Sequence, residues 1–187
     1  MEGNEGMRIL GALCRNSLES AGLSLRRVNR ALDYINGDYY FRKSIDRIGA
    51  VDNAQQIQLL LRYRELAGQG GPMPAFEDTE FRAFSQNGED GNLLYIFALA
   101  GMTNRVCLEM CAGDGINCNA ANLIVNHGFH GLLLDGQEKL IARGKKFYAS
   151  LRETRLWPPT LECAWITRDN VNDLVRTHGI EGEIDLF

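Results

Sequence analysis

The chain has 187 residues, 45% of them hydrophobic and 24% charged, with a formal net charge of −4. This is the composition of a soluble globular protein, and it excludes nucleic-acid binding driven by bulk charge. No apolar run approaches the roughly 20 residues that span a bilayer. The first six residues, Met1 to Gly6, lack the basic and then apolar build of a secretory leader, so a cytoplasmic location is expected.

The charge is uneven. Residues 1–75 hold 10 Lys+Arg and 8 Asp+Glu, and residues 76–187 hold 10 and 16. The front is therefore mildly basic and the remainder acidic. The five cysteines form an odd set without a leader, which argues against a disulfide framework. Cys107, Cys111 and Cys118 lie close together, but no Cys-x-x-Cys pair exists, and His127 and His130 lack zinc-ligand spacing. Buried reduced thiols are expected, and no metal.

In chain order, Leu25, Val28, Leu32 and Ile35 recur at helical spacing behind Ser24 as N-cap. A second helix is predicted from Asp52, which has capping-box spacing to Gln55, to the Gly/Pro cluster at 68–74. That cluster divides a helical region, 1–75, from a domain over 76–187. The rhythm then alternates between helices and short apolar strands. Helices are predicted at 88–100, 116–127, 137–149 and from an Asp169 cap to Gly179. Strands are predicted at 105–110, 131–135, 160–167 and 184–187. Such alternation implies βαβ units, so the fold class is α/β with a parallel, Rossmann-like sheet of about four strands and helices on both faces.

The informative segment runs from Val106 to Cys118 and contains Glu109, Ala112, Gly113, Asp114 and Gly115. It reads as a strand, a glycine-containing turn and a helix whose N-terminus faces a ligand. A dinucleotide site wants a third glycine, which is missing here, and Asp114 would repel a pyrophosphate. S-adenosyl-L-methionine carries cationic sulfonium and ammonium groups, which Glu109 and Asp114 suit. The next strand ends in Asp135-Gly136, placed to receive ribose hydroxyls. A nicotinamide dinucleotide enzyme is the weaker alternative. A further polar stretch holds Ser85, Gln86, Asn87, Glu89 and Asp90. It is expected either to cap the helix at 88–100 or to line the cofactor mouth.

Six motifs together resemble one branch of the FkbM-like methyltransferases. They are Ser85-Gln-Asn-Gly-Glu-Asp-Gly91, Glu109-x-x-x-Gly113-Asp-Gly115, Cys118-Asn119-x-x-Asn122-Leu123, Gly131-Leu-x-Leu-Asp135-Gly136, Asn170-Val-Asn172 and Glu183-Ile-Asp185-Leu186. The resemblance covers residues 84–187. It implies a class I fold, S-adenosyl-L-methionine as donor, and O-methylation of a sugar or small metabolite. It also implies that Thr167 and Asp169 flank the adenine. Two departures stand out. Cys111 occupies the place of a first glycine, and family members continue beyond the segment at which this chain ends. The sequence therefore reads as a truncated nucleotide-binding half. That reading carries a rival, a non-catalytic remnant or binding module, and an expectation of self-association through the strand at 184–187. No residue reads as a catalytic base, and none of His127, His130 and His178 is placed for that role.

Overall fold

The computed structural model describes residues 38–187, with side chains described from Asp52 onward. The helix predicted behind Ser24 lies outside the described residues. The chain divides into two compact units, Met1–Asp52 and Asn53–Phe187, and all that follows concerns the second.

Its first element is the end of helix α1, Asp38–Gln69. Asp52 and Gln55 lie inside this helix and do not open it. Nothing between 38 and 51 stops a helix: there is no proline, and the single Gly49 costs only about 1 kcal/mol. Beyond a single 3-10 turn, Phe76–Asp78, the chain runs α2 (Glu89–Ala100), β1 (Val106–Met110), α3 (Asn119–His127) and β2 (His130–Asp135). It continues through α4 (Glu138–Ser150), β3 (Thr160–Cys163) and α5 (Val171–Thr177).

The three strands form one parallel sheet in the order β1-β2-β3, with Val106 opposite His130 and Leu132 opposite Thr160. The predicted fourth strand is reduced to a single parallel bridge, Cys107 to Leu186, on the free edge of β1. It is nevertheless stitched in place. The Leu108 amide donates to Leu186 O at 2.9 Å, and the Asp185 amide donates to Val106 O at 2.9 Å. The sheet thus grows from β1 in one direction and is rejoined on the other edge. In open α/β sheets ligands bind outside the carboxyl ends of the strands where such a reversal occurs.

Leu132, Leu133 and Leu134 are all fully buried because the sheet is covered on both sides. Alternation still sorts them. Cys107, Leu133 and Leu161 pack with Phe97 of α2, Leu123 and Ile124 of α3, and Ile141 and Tyr148 of α4. Leu108, Leu132 and Leu134 face the opposite side, with Val175 of α5 and Ile180. β3 ends at Cys163, earlier than predicted: the Ala164 amide still donates to Asp135 O at 2.9 Å, but Trp165 and Ile166 turn to line a cleft at the sheet's rim.

The compact unit extends upstream of the Gly/Pro cluster through the second half of α1. Tyr63 meets Tyr95 of α2 edge-on, with centroids 4.9 Å apart. Buried Gln56 accepts from Asn122 Nδ2 at 2.9 Å and from His127 Nε2 at 2.7 Å through one oxygen, joining α1 to α3. His127 is thereby a packing residue.

Two expectations follow. Gln56→Leu removes the acceptor shared by two buried donors, so urea denaturation should show a loss of about 1–3 kcal/mol. An unchanged midpoint and slope would mean that α1 is not docked through this contact. The second concerns Asp185, whose carboxylate accepts the amides of Thr103, Asn104 and Arg105 at 2.9, 3.0 and 2.6 Å. Partial desolvation raises its pKa, but these amides outweigh it and hold the carboxyl below its ordinary 3.8. A depressed folded pKa gives stability that is present above the unfolded value and lost as pH falls through the folded one. Stability should therefore fall as pH drops below about 3.8, and Asp185→Asn should flatten that slope. An unaltered acid limb in the variant would refute the assignment.

Candidate functional site

β1 leaves the sheet at Met110, and the chain turns through three left-handed residues: Cys111 (φ 59°), Gly113 (φ 62°) and Gly115 (φ 68°). At Gly115 the need for glycine is double, since a Cβ would also lie 2.8 Å from Leu133 Cδ1. At Gly113 nothing lies within 4 Å of that position, so the turn is open on its outer side. Cys111 takes the same conformation with a side chain, at a cost of about 1–2 kcal/mol.

Two strand-end carboxylates hold this turn. Glu109 reaches from β1 to the start of α3, where its two oxygens accept the amides of Asn119 at 3.0 Å and Ala120 at 2.7 Å. It is thus the side-chain partner of a helix whose own N-cap, Cys118, provides none. Asp135, at the end of β2, accepts the amide of Gly113 at 3.0 Å on one oxygen and that of Gln137 at 2.8 Å on the other. It therefore clamps the glycine turn and caps the start of α4 together. A carboxylate has about four acceptor positions, so each oxygen keeps capacity beyond its amide.

Asp114 is buried. It accepts the Ile116 amide at 3.0 Å and pairs with Arg143 of α4 at 3.2 Å. Gly144 lets α4 come this close, because a Cβ there would strike the Asp114 carbonyl. Tyr148 closes the contact by donating its hydroxyl to Gly115 O. Burial pushes the Tyr148 phenol up, so it stays protonated and a donor.

Two clefts open on either side of Cys111. One, of about 340 Å³, is lined by Gln86, Glu109, Ala112, Gly113, Asp114, Asn117, Cys118 and Leu140. The other, of about 210 Å³, is lined by Asp135, Gly136, Gln137, Ala164, Trp165 and Ile166. Cys111 borders both. Between them the linings carry three carboxylates and no Lys, Arg or His. Trp165 is 79% exposed, and its ring fills the space that a side chain at Gly136 would need. Sequence reasoning missed it, because a lone tryptophan after a short strand carries no periodic signal.

The polar stretch before α2 divides. Gln86 lines the larger cleft. Ser85 and Asp90 form a reciprocal cap: the Asp90 amide donates to Ser85 Oγ at 3.1 Å, and Asp90 Oδ2 accepts the amides of Ala83, Phe84 and Ser85 at 2.7–2.8 Å. Glu89 accepts the Asn87 amide at 2.8 Å, and the backbone bonds at Glu89 and Asn87 hold its carboxyl below the ordinary value. Asn87 lines a separate hollow with Glu80 and Arg82. Thr167 and Asp169 line neither of the two clefts beside Cys111. Thr167 exchanges bonds with Asn170, the N-cap residue of α5 in the place predicted for Asp169.

Among the described residues no group of three or more His, Cys, Asp or Glu is gathered to hold a metal ion. Burial, with Glu109 nearby, pushes the Cys107 thiol up to about 12 and raises that of Cys118 as well. Neither is a nucleophile at neutral pH. Among the described residues Cys111 and Cys163 are exposed, against the expectation of buried thiols.

Replacing Cys111 by glycine relieves the one side chain held at positive φ in the turn. Denaturation should show Cys111→Gly stabilised by up to about 1 kcal/mol, with Cys111→Val destabilised by at least as much. Equal stabilities would mean that the turn relaxes out of the left-handed region. No protein-family model, curated protein or solved structure matches the chain.

Proposed function

We propose that residues 84–187 form an S-adenosyl-L-methionine-binding, Rossmann-like region of a methyltransferase of the FkbM-like kind, acting on a small-molecule hydroxyl such as that of a sugar. The observation that carries the reading is electrostatic. A turn with two glycines and three left-handed residues, at the carboxyl end of the first parallel strand, opens onto clefts lined by Glu109, Asp135 and Asp114, the last paired with Arg143 of α4, and by no Lys, Arg or His. That lining suits a cationic ligand and opposes a phosphate.

Glu109 sharpens the choice between cofactors. A dinucleotide places its pyrophosphate on the amides at the N-terminus of the helix after the glycine turn. Here Glu109 already accepts the amides of Asn119 and Ala120, and its own charge stands where the phosphate would go. The nicotinamide reading therefore loses its anchor.

The residues present fit an adenosyl ligand divided between the two clefts. Asp135, with acceptor capacity left on both oxygens, would receive the ribose hydroxyls. Trp165, Ile166 and Gly136 offer a flat apolar wall to a planar base. Glu109, Gln86 and the open side of Gly113 would face the amino-acid end. S-adenosyl-L-methionine supplies, when bound, an electrophilic methyl group on a sulfonium. The contribution of this chain is then to bind and orient. His127, His130 and His178 lie outside both clefts, and no base is assigned among the described residues.

Calorimetric titration with S-adenosyl-L-methionine, beside NAD, tests the proposal. Micromolar binding of the first and none of the second is expected. Asp135→Asn, with circular dichroism to verify folding, should weaken binding tenfold or more, about 1.4 kcal/mol. A folded protein that binds NAD, or neither ligand, would overturn the reading.

A further inference from the structure

At the other end of the sheet, where β2 begins at His130 and β3 at Thr160, the chain exposes a second kind of surface. Leu156 is 88% and Trp157 73% exposed, and Pro158 beside them is exposed too. These side chains are not on a loose loop. The Arg155 amide donates to Leu151 O at 3.0 Å, the Trp157 amide to Thr154 O at 3.1 Å, and buried Thr154 donates to Tyr148 O at 2.6 Å. The Trp157 indole donates to His130 Nδ1 at 3.1 Å, which fixes the ring beside the start of β2. A built turn therefore presents two large apolar side chains to solvent.

The charge around it is opposite to that of the chain. From Glu138 to Trp157 there are six Lys/Arg and two Glu, a balance of +4 within a chain of −4. Arg143 is paired with Asp114. Lys139, Lys145, Lys146, Arg152 and Arg155 are exposed and form no ion pair with another described residue. On α4, Lys139, Arg143 and Lys146 fall at i, i+4 and i+7, opposite the buried Ile141, Gly144 and Tyr148. The basic stripe follows a helix roughly 20 Å long and leads into the Leu156–Trp157 turn.

We infer that this surface docks on an anionic lipid bilayer, with Leu156 and Trp157 inserted at the headgroup level and the α4 stripe lying on the lipid phosphates. Tryptophan and leucine beside Lys and Arg are the side chains that lie in that interface. A single-stranded nucleic acid would instead want a row of aromatic platforms along a basic groove, and here Trp157 stands between Leu156 and Pro158, neither of which offers a stacking face. The stripe begins at Lys139, between the cleft residues Gln137 and Leu140, and runs away from them, so the inference rests on Leu156, Trp157, Arg152 and Arg155 and not on the cofactor reading.

The test is sedimentation of the full chain with vesicles of equal parts phosphatidylcholine and phosphatidylserine, beside phosphatidylcholine alone. Binding to the first only, weakening as salt rises, is expected. Leu156→Ser should weaken it about tenfold, and Arg152→Gln with Arg155→Gln by about tenfold or more. The chain has two tryptophans, so Trp165→Phe leaves Trp157 as sole reporter, and its emission should shift blue on the anionic vesicles. No binding to them by the folded chain, or binding that Leu156→Ser leaves unchanged, would overturn the inference. So would tighter binding to a single-stranded RNA with no blue shift on vesicles.

Discussion

Glu109 reaches across ten residues of chain to the first two amides of α3. A carboxylate in that place satisfies two of the donors a helix start leaves open and meets the positive end of its dipole, together worth about 1–2 kcal/mol. More depends on it than that figure suggests. It fixes where α3 begins relative to β1, and so sets the span that the turn from Cys111 to Cys118 must cover. Asp135 then holds the middle of the same span through Gly113, and Tyr148 holds its end through Gly115. The turn is thus tied to β1, β2 and α4 by three side chains, each donating or accepting at backbone.

This arrangement also decides what the clefts are. The helix N-terminus, elsewhere an anion site, is closed by a negative side chain. The nearby thiols are kept protonated, and Asp114 is withdrawn into a pair with Arg143. What remains facing outward is an acid-lined rim with one exposed indole. At the opposite end of the sheet the balance reverses, with exposed Arg152 and Arg155 beside Leu156 and Trp157.

Much of this was legible in the residues. α2 and α3 end at the predicted residues 100 and 127, each followed by a glycine C-cap, and the strand predicted at 131–135 is the buried β2. Cys111, which takes the place of a first glycine in the resemblance, sits at positive φ. The misses have physical causes. Asp52 resembles a cap, yet helix propensity carries α1 through it. Strand 160–167 is cut short because Trp165 is drawn over Gly136, and the apolar run at 184–187 makes only one bridge because Asp185 turns to the amides of residues 103–105. Asp169 cedes its cap to Asn170. The partners of Glu109 are backbone amides, which no side-chain pattern announces. Its structural role is visible only once β1 and α3 are placed together.

We propose that the turn from Cys111 to Gly115 and the Asp135–Trp165 rim form one site for an adenosyl cation. The most direct measurement is a backbone-amide NMR map of the chain titrated with S-adenosyl-L-methionine. Shifts are expected at Cys111, Gly113, Asp135 to Gln137 and the Trp165 indole, with the Trp157 indole unmoved. Shifts confined to the hollow around Glu80 and Asn87, or none in a spectrum dispersed as a folded protein's, would contradict it.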